Sequence, residues 1–271
     1  MACTPREGVE LLVLGGRVER SADIPYGREP RQQLDVYRDR GSGGHAPVVV
    51  FIHGGRWKYS SKRDYLLMGN ALAREGWVVV VPNYRLFPAA TYPAWVVDGA
   101  TAVRWARDHA AEFGGDPARL VVIGHSAGAH TVTMLALDRR FLRQAGVPDG
   151  AVRGFVSIAG PVDTTWTDPD VQALMGPADG WPETYPRTFV DGTAPPLLLL
   201  HGLSDDVVSA SNSERLAARI RVRGGCTRLI EYEGLGHVQI ALALAFGGGG
   251  RRSVRQDVES LVRDPAGFTC G

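Results

Sequence analysis

The sequence predicts an α/β fold: a mostly parallel central sheet of about eight strands with helices on both faces. Three observations carry this. Several short runs are apolar throughout instead of alternating, as strands covered on both faces are. Stretches with helical spacing lie between them, in a repeating strand–helix order. The length, 271 residues, suits one large α/β domain over 1–271 better than two small ones.

The elements follow in order. RVERSADIPYG (17–27) and QQLDVYRD (32–39) alternate polar and apolar positions and read as an antiparallel pair at the start of the sheet. PVVVFIH (47–53) is the first wholly apolar strand. RDYLLMGNALAREG (63–76) is helical and ends on a Gly suited to a left-handed cap. WVVVVPNY (77–84) is a strand, and PAWVVDGATAVRWARDHAAEFGG (93–115) is a helix that opens near a Pro and closes on Gly-Gly. RLVVIGH (119–125) runs straight into the helical AGAHTVTMLALDRRF (127–141). VRGFVSIAG (152–160), PLLLLHG (196–202) and RLIEYEG (228–234) complete the strands, with the helix SASNSERLAARIRVRGG (209–225) between the last two. Residues 161–195 hold no apolar run. A compact domain seldom keeps so long a connection without a use, so this is expected to be a loop or small lid beside the functional site. GGGG (247–250) reads as a flexible break in the C-terminal helical region.

Composition excludes some functions. With 30 basic and 29 acidic side chains the formal charge is +1, so nothing in the charge balance draws the chain to nucleic acid or an anionic membrane. The clusters RRFLR (139–143) and RR (251–252) read as solvated surface. Cys3, Cys226 and Cys270 are odd in number and far apart. They read as free thiols of a reducing compartment, with neither a disulfide framework nor a zinc site. The N-terminal stretch lacks a basic segment before its short apolar run, and no segment approaches the length of a membrane span. The expected location is the cytoplasm.

The chemistry centres on Gly124-His125-Ser126-Ala127-Gly128, which fits G-x-S-x-G between a strand and a helix. A sharp turn there lifts the Ser126 hydroxyl clear of the sheet. Side chains two residues before and after would collide with neighbouring backbone, hence the glycines. A Ser hydroxyl needs a base. His237, in EGLGHVQI after the last strand, fits the order Ser, acid, His. His201 ends a strand and is expected to brace the following loop; His125 and His130 lie in and behind the turn, and His45 and His109 have no motif around them. The acid should follow PLLLLHG, in LSDDVV. The spacing H-G-x-x-D from His201 selects Asp205, with the adjacent Asp206 as the alternative. After the strand PVVVFIH, the amides of Gly54 and Gly55, joined by that of Ala127, form a candidate oxyanion hole. Trp57 and, in 161–195, Trp166 and Trp181 are candidate walls for a substrate; the other reading of the last two is that they pin the loop to the domain.

These residues resemble the α/β-hydrolase superfamily over nearly the whole chain. HGGRW (53–57) resembles the H-G-G-x-W form of its esterase and kynurenine-formamidase-like branch, and HGLSDDVV (201–208) is similar to H-G-x-x-D-x-x-V. The block from Asn83 to His130 resembles its counterpart in both groups. The resemblance implies the α/β-hydrolase fold and a serine hydrolase with no metal or other cofactor, acting on small carboxylic esters or, alternatively, on the formamide of N-formylkynurenine. Arg56 departs from the H-G-G-G form of lipase-like relatives, which leaves open the amides that form the hole and makes tertiary-alcohol esters less suited. The stretch before Tyr26 is too short for the N-terminal helical cap of the lipase-like group, so none is expected. A third reading, a non-catalytic module of the same fold, conflicts with the presence of Ser126, Asp205, His237 and the glycines together.

Overall fold

The computed structural model describes residues 16–248 and 253–271. The expectations for residues 1–15, Cys3 among them, for 249–250 of the glycine run and for 251–252 lie outside the described residues.

Among the described residues one sheet of eight strands forms: β1 (Val18–Pro25), β2 (Gln33–Asp39), β3 (Ala46–Ile52), β4 (Val78–Pro82), β5 (Gly115–His125), β6 (Val152–Ile158), β7 (Leu197–Gly202) and β8 (Thr227–Tyr232). Their order is β1-β2-β4-β3-β5-β6-β7-β8. β1 pairs antiparallel with β2, as the alternation predicts, and β2 antiparallel with β4; every later pairing is parallel. Every residue of β3, β4 and β7 is buried, which explains their unbroken apolar runs.

Among the described residues eight α-helices follow: α1 (Leu66–Ala73), α2 (Ala94–His109), α3 (Ala127–Leu137), α4 (Arg140–Gln144), α5 (Pro169–Met175), α6 (Ser211–Val222), α7 (His237–Phe246) and α8 (Val254–Arg263). The sheet alternates its side chains between two cores. Val48, Val50 and Ile52 of β3 face α2–α6, represented by Trp95, Val132, Leu142, Leu174 and Leu216. Val49 and Phe51 face α1, α7 and α8, through Leu72, Leu244 and Leu261. α8 places Val254, Val258, Leu261 and Val262 on one buried stripe.

Boundaries differ from the sequence reading in places with a local cause. The predicted helix over 63–76 opens as a 3₁₀ turn, Lys62–Tyr65, and Gly76 sits beyond its end at φ +84°. The helix predicted over 127–141 stops at Asp138, whose carboxylate accepts the Arg140 amide at 3.2 Å and starts α4. The segment 161–195 is built, not irregular: Asp168 caps α5 by accepting the Asp170 amide at 2.9 Å, and 3₁₀ turns follow at Ala178–Thr184 and Pro186–Phe189.

The free-thiol reading is corrected at two of the three cysteines: Cys226 and Cys270 form a disulfide. The C-terminal tail returns beside the start of β8, where the Gly271 amide donates to Thr227 O at 3.0 Å and the Arg221 guanidinium holds Gly271 O. That brings the two Cα atoms to 5.1 Å across a separation of 44 residues, which no local Cys spacing signals. Among the described residues no helix is long and apolar enough to cross a membrane.

Candidate active site

Ser126 stands between β5 and α3 with φ +56° and ψ −119°, a left-handed conformation that costs a non-Gly residue energy. The flanking glycines make that turn fit. A Cβ on Gly124 would lie 2.3 Å from Gly128 O, and one on Gly128 would lie 2.1 Å from Ile52 O. Both positions therefore admit only glycine.

His237 is the first residue of α7, on the opposite face of the sheet from α3. The Ser126 hydroxyl donates to its Nε2 at 2.8 Å, and its Nδ1 donates to Asp205 Oδ2 at 2.8 Å. The other carboxylate oxygen accepts the amides of Val207 (2.9 Å) and Val208 (2.8 Å). Burial by itself would raise the Asp205 pKa. The Val208 amide, the His237 ring and the Val207 amide outweigh it and hold the carboxyl below its ordinary value. Asp206 is exposed, so of the two neighbours it is Asp205 that meets the imidazole. His201 braces the loop that carries Asp205, as expected: Nε2 bonds Val208 O and Nδ1 bonds Ser213 Oγ, both at 2.8 Å. His109 pairs with Glu112 at the surface, and His45 is exposed.

The loop after β3 is held from several sides. Tyr84 donates to His53 O at 3.0 Å, and His53 Nδ1 donates to Gly54 O at 2.7 Å. Gly55 has φ +116°, and a Cβ there would lie 2.3 Å from Tyr59 O, so only Gly fits. Arg56 and Trp57 continue at φ +54° and +57°. The expected donor set narrows here. The Gly54 amide is committed to Tyr65 Oη at 3.1 Å, so it does not join the hole. The amides of Gly55 and Ala127 have no hydrogen-bond acceptor among the described residues. Ala127 opens α3, where the helix dipole adds positive potential.

A cavity of about 190 Å³ opens onto Ser126 and Ala127, walled by Trp57, Trp166, Val171 and Val208. The Trp57 and Trp166 rings stand at 86° with centroids 6.1 Å apart. Trp166 is fixed by its indole N–H on Thr184 Oγ1 (2.6 Å). Trp181 does not line this cavity. Its indole N–H donates to Gly176 O at 2.9 Å and its ring packs on the core, so it staples the segment internally, and its expected place beside the substrate is corrected. Two ion pairs join the segment to the loop after β3, Arg56–Asp168 (2.6 Å) and Lys58–Asp170 (3.2 Å). Sequence reasoning missed Tyr65, Tyr84 and the Arg56–Asp168 pair, since each acts across elements distant in the chain. It also missed Val208, although that residue sits in the HGLSDDVV stretch already singled out.

The BD-FAE family profile matches residues 34–220. Esterase LipQ of Mycobacterium tuberculosis is 32% identical over 248 residues, covering 83% of this chain and 58% of its own length. The isoprenylcysteine alpha-carbonyl methylesterase ICME of Arabidopsis thaliana is 26% identical, covering 91% of this chain and 62% of its own. The chain thus spans roughly half to three fifths of the length of the curated relatives it matches. A truncated carbohydrate esterase from gut microbiota superposes with a TM-score of 0.77 over 91% of this chain and 96% of its own, at 21% identity. Esterase 2 of Thermogutta terrifontis gives 0.73 over 94% and 97%, at 20% identity. At such identities the two structures speak for the fold. The G-x-S-x-G turn and strands β3 to β7 lie within the matched region, and the chain belongs to the BD-FAE family of α/β-hydrolase-type esterases.

Proposed function

We propose that the protein is a serine carboxylesterase that cleaves small esters through an acyl-enzyme. The observation that carries this reading is the unbroken chain Ser126–His237–Asp205, with both links at 2.8 Å. His237 Nε2 takes the Ser126 proton as Oγ attacks the ester carbonyl. The resulting oxyanion is received by the amides of Gly55 and Ala127. His237 then returns the proton to the departing alcohol, and water repeats the sequence on the acyl-enzyme. Asp205 holds the imidazole with its proton on Nδ1 and offsets the charge that the ring acquires. Every step uses protein groups already at hand. The small cavity suits a short acyl group, with its rim shaped by the first part of 161–195 acting as a fixed lid.

Replacing Ser126 by Ala tests the reading. A folded Ser126→Ala protein should lose roughly four to six orders of magnitude of kcat on p-nitrophenyl acetate; retention of most activity would refute the mechanism. The two perpendicular indoles favour an aryl substrate as a second reading, an arylformamidase using the same groups. Comparing p-nitrophenyl acetate with N-formylkynurenine separates the two by kcat/KM. The Cys226–Cys270 disulfide supports an oxidising compartment in place of the expected cytoplasm. Titration of thiols in the denatured, unreduced protein should then find one reactive cysteine, and three would return the protein to a reducing one.

A further inference from the structure

The function above leaves unused a buried histidine, His125, and a tyrosine, Tyr65, that touches both the loop after β3 and the Ser126 turn. Three contacts connect them. The Gly54 amide lies 3.1 Å from Tyr65 Oη, Tyr65 Oη lies 3.4 Å from His125 Nδ1, and His125 Nε2 lies 2.9 Å from the carbonyl oxygen of His237. Their direction is forced. A carbonyl only accepts, so His125 carries its proton on Nε2. A neutral imidazole then offers Nδ1 as a lone pair, and the Tyr65 hydroxyl must donate to it. The phenolic oxygen is left to accept the Gly54 N–H. Burial, followed by the nearby His237, pushes the His125 pKa down to about 4, which keeps the ring neutral as this pattern requires.

The tyrosine is itself well fixed. Its ring packs on Phe51 and stacks on His53, with centroids at 5.4 and 5.7 Å. The 3₁₀ turn that carries it is anchored by Lys62, which is buried between Asp23 and Asp35, and whose amide donates to Asn83 Oδ1 at 2.7 Å.

We propose that Tyr65 and His125 are positioning residues: they tie the oxyanion loop to the backbone of His237 and so hold the hole and the base in one fixed relation about Ser126. The inference rests on the serine-hydrolase reading. It gives the x of G-x-S-x-G a task beyond filling the turn, and it gives the Gly54 amide a task other than meeting the substrate.

Phosphonylation of Ser126 by a fluorophosphonate reads both ends, since hole and base act together in that step. Labelling of the wild-type protein at Ser126 tests the underlying reading by itself, and no labelling of folded protein would overturn that reading first. Tyr65→Phe keeps the ring packing and removes the hydroxyl. It should lower the phosphonylation rate constant and the kcat for p-nitrophenyl acetate about tenfold, with KM within about twofold. His125→Gln keeps a donor for the His237 carbonyl but has no acceptor at the place of Nδ1, where Tyr65 donates, and should lose a similar factor. The double variant should be no slower than either single one. First-order rate constants refer only to molecules with an assembled site, so a misfolded fraction does not enter. Wild-type rates in Tyr65→Phe, or losses that multiply in the double variant, would overturn the proposal.

Discussion

Asp205 divides its two oxygens between two tasks. One meets His237 and the other is clamped by two successive amides, so the carboxylate cannot turn away without breaking both. That makes Asp205→Asn costly. The amide would present a donor or a weaker acceptor to the imidazole and disturb its tautomer, and kcat should fall by about 10⁴. Asp206→Asn, at an exposed side chain, should leave turnover close to wild type. Steady-state rates on one ester decide the matter, and the reverse order would move the acid to Asp206. Residues of this kind were legible because their signals are local: a motif for Ser126, a spacing for Asp205, a chain order for His237. The partner of the Gly54 amide was not legible. Its acceptor arrives from a 3₁₀ turn eleven residues on, and only packing brings it there.

Strands β3 and β4 were legible as elements because burial on both faces leaves no polar position in them, whereas 161–195 was legible only as a loop or small lid, without its internal helix and turns. Its Asp168-Pro169 pair is a cap followed by a Pro in the first turn, a start signal that a reading at the scale of 35 residues passes over. The disulfide left no local trace at all, because it depends on the C-terminal tail lying along β8. The segment 161–195 also separates its two tryptophans. Trp166 stands in the cavity wall and Trp181 bonds the lid to itself. Trp166→Ala should therefore change the ratio of kcat/KM between aryl and short aliphatic esters. Trp181→Ala should lower the Tm and leave that ratio unchanged. Equal losses on both esters with either variant would show that neither ring meets the substrate. The ion pairs Arg56–Asp168 and Lys58–Asp170 each involve an exposed carboxylate, so solvent screens them and they add little to the seating of 161–195.

For the whole molecule, the buried imidazoles set a limit in acid. Burial is the largest cause that pushes His53, His125 and His130 down from the ordinary 6.5 to about 4. The unfolded chain therefore binds protons that the folded one refuses. Stability is fully present above about pH 6.5 and is lost as pH falls toward 4, at about 1.4 kcal/mol per pKa unit for each ring. The Tm should fall steeply across that window in calorimetry. A Tm that stays level from pH 6.5 to 4 would show that these rings are protonated at no cost. The two-layer arrangement has a consequence of another kind. Ser126 heads a helix on one face of the sheet, and His237 heads a helix on the other. Their 2.8 Å contact closes only when both layers are seated. Ser126 and His237 thus behave as the two halves of a clasp. A molecule that kept its sheet and most of its helices, but let one layer slip, would look folded by its secondary structure and yet have no working site.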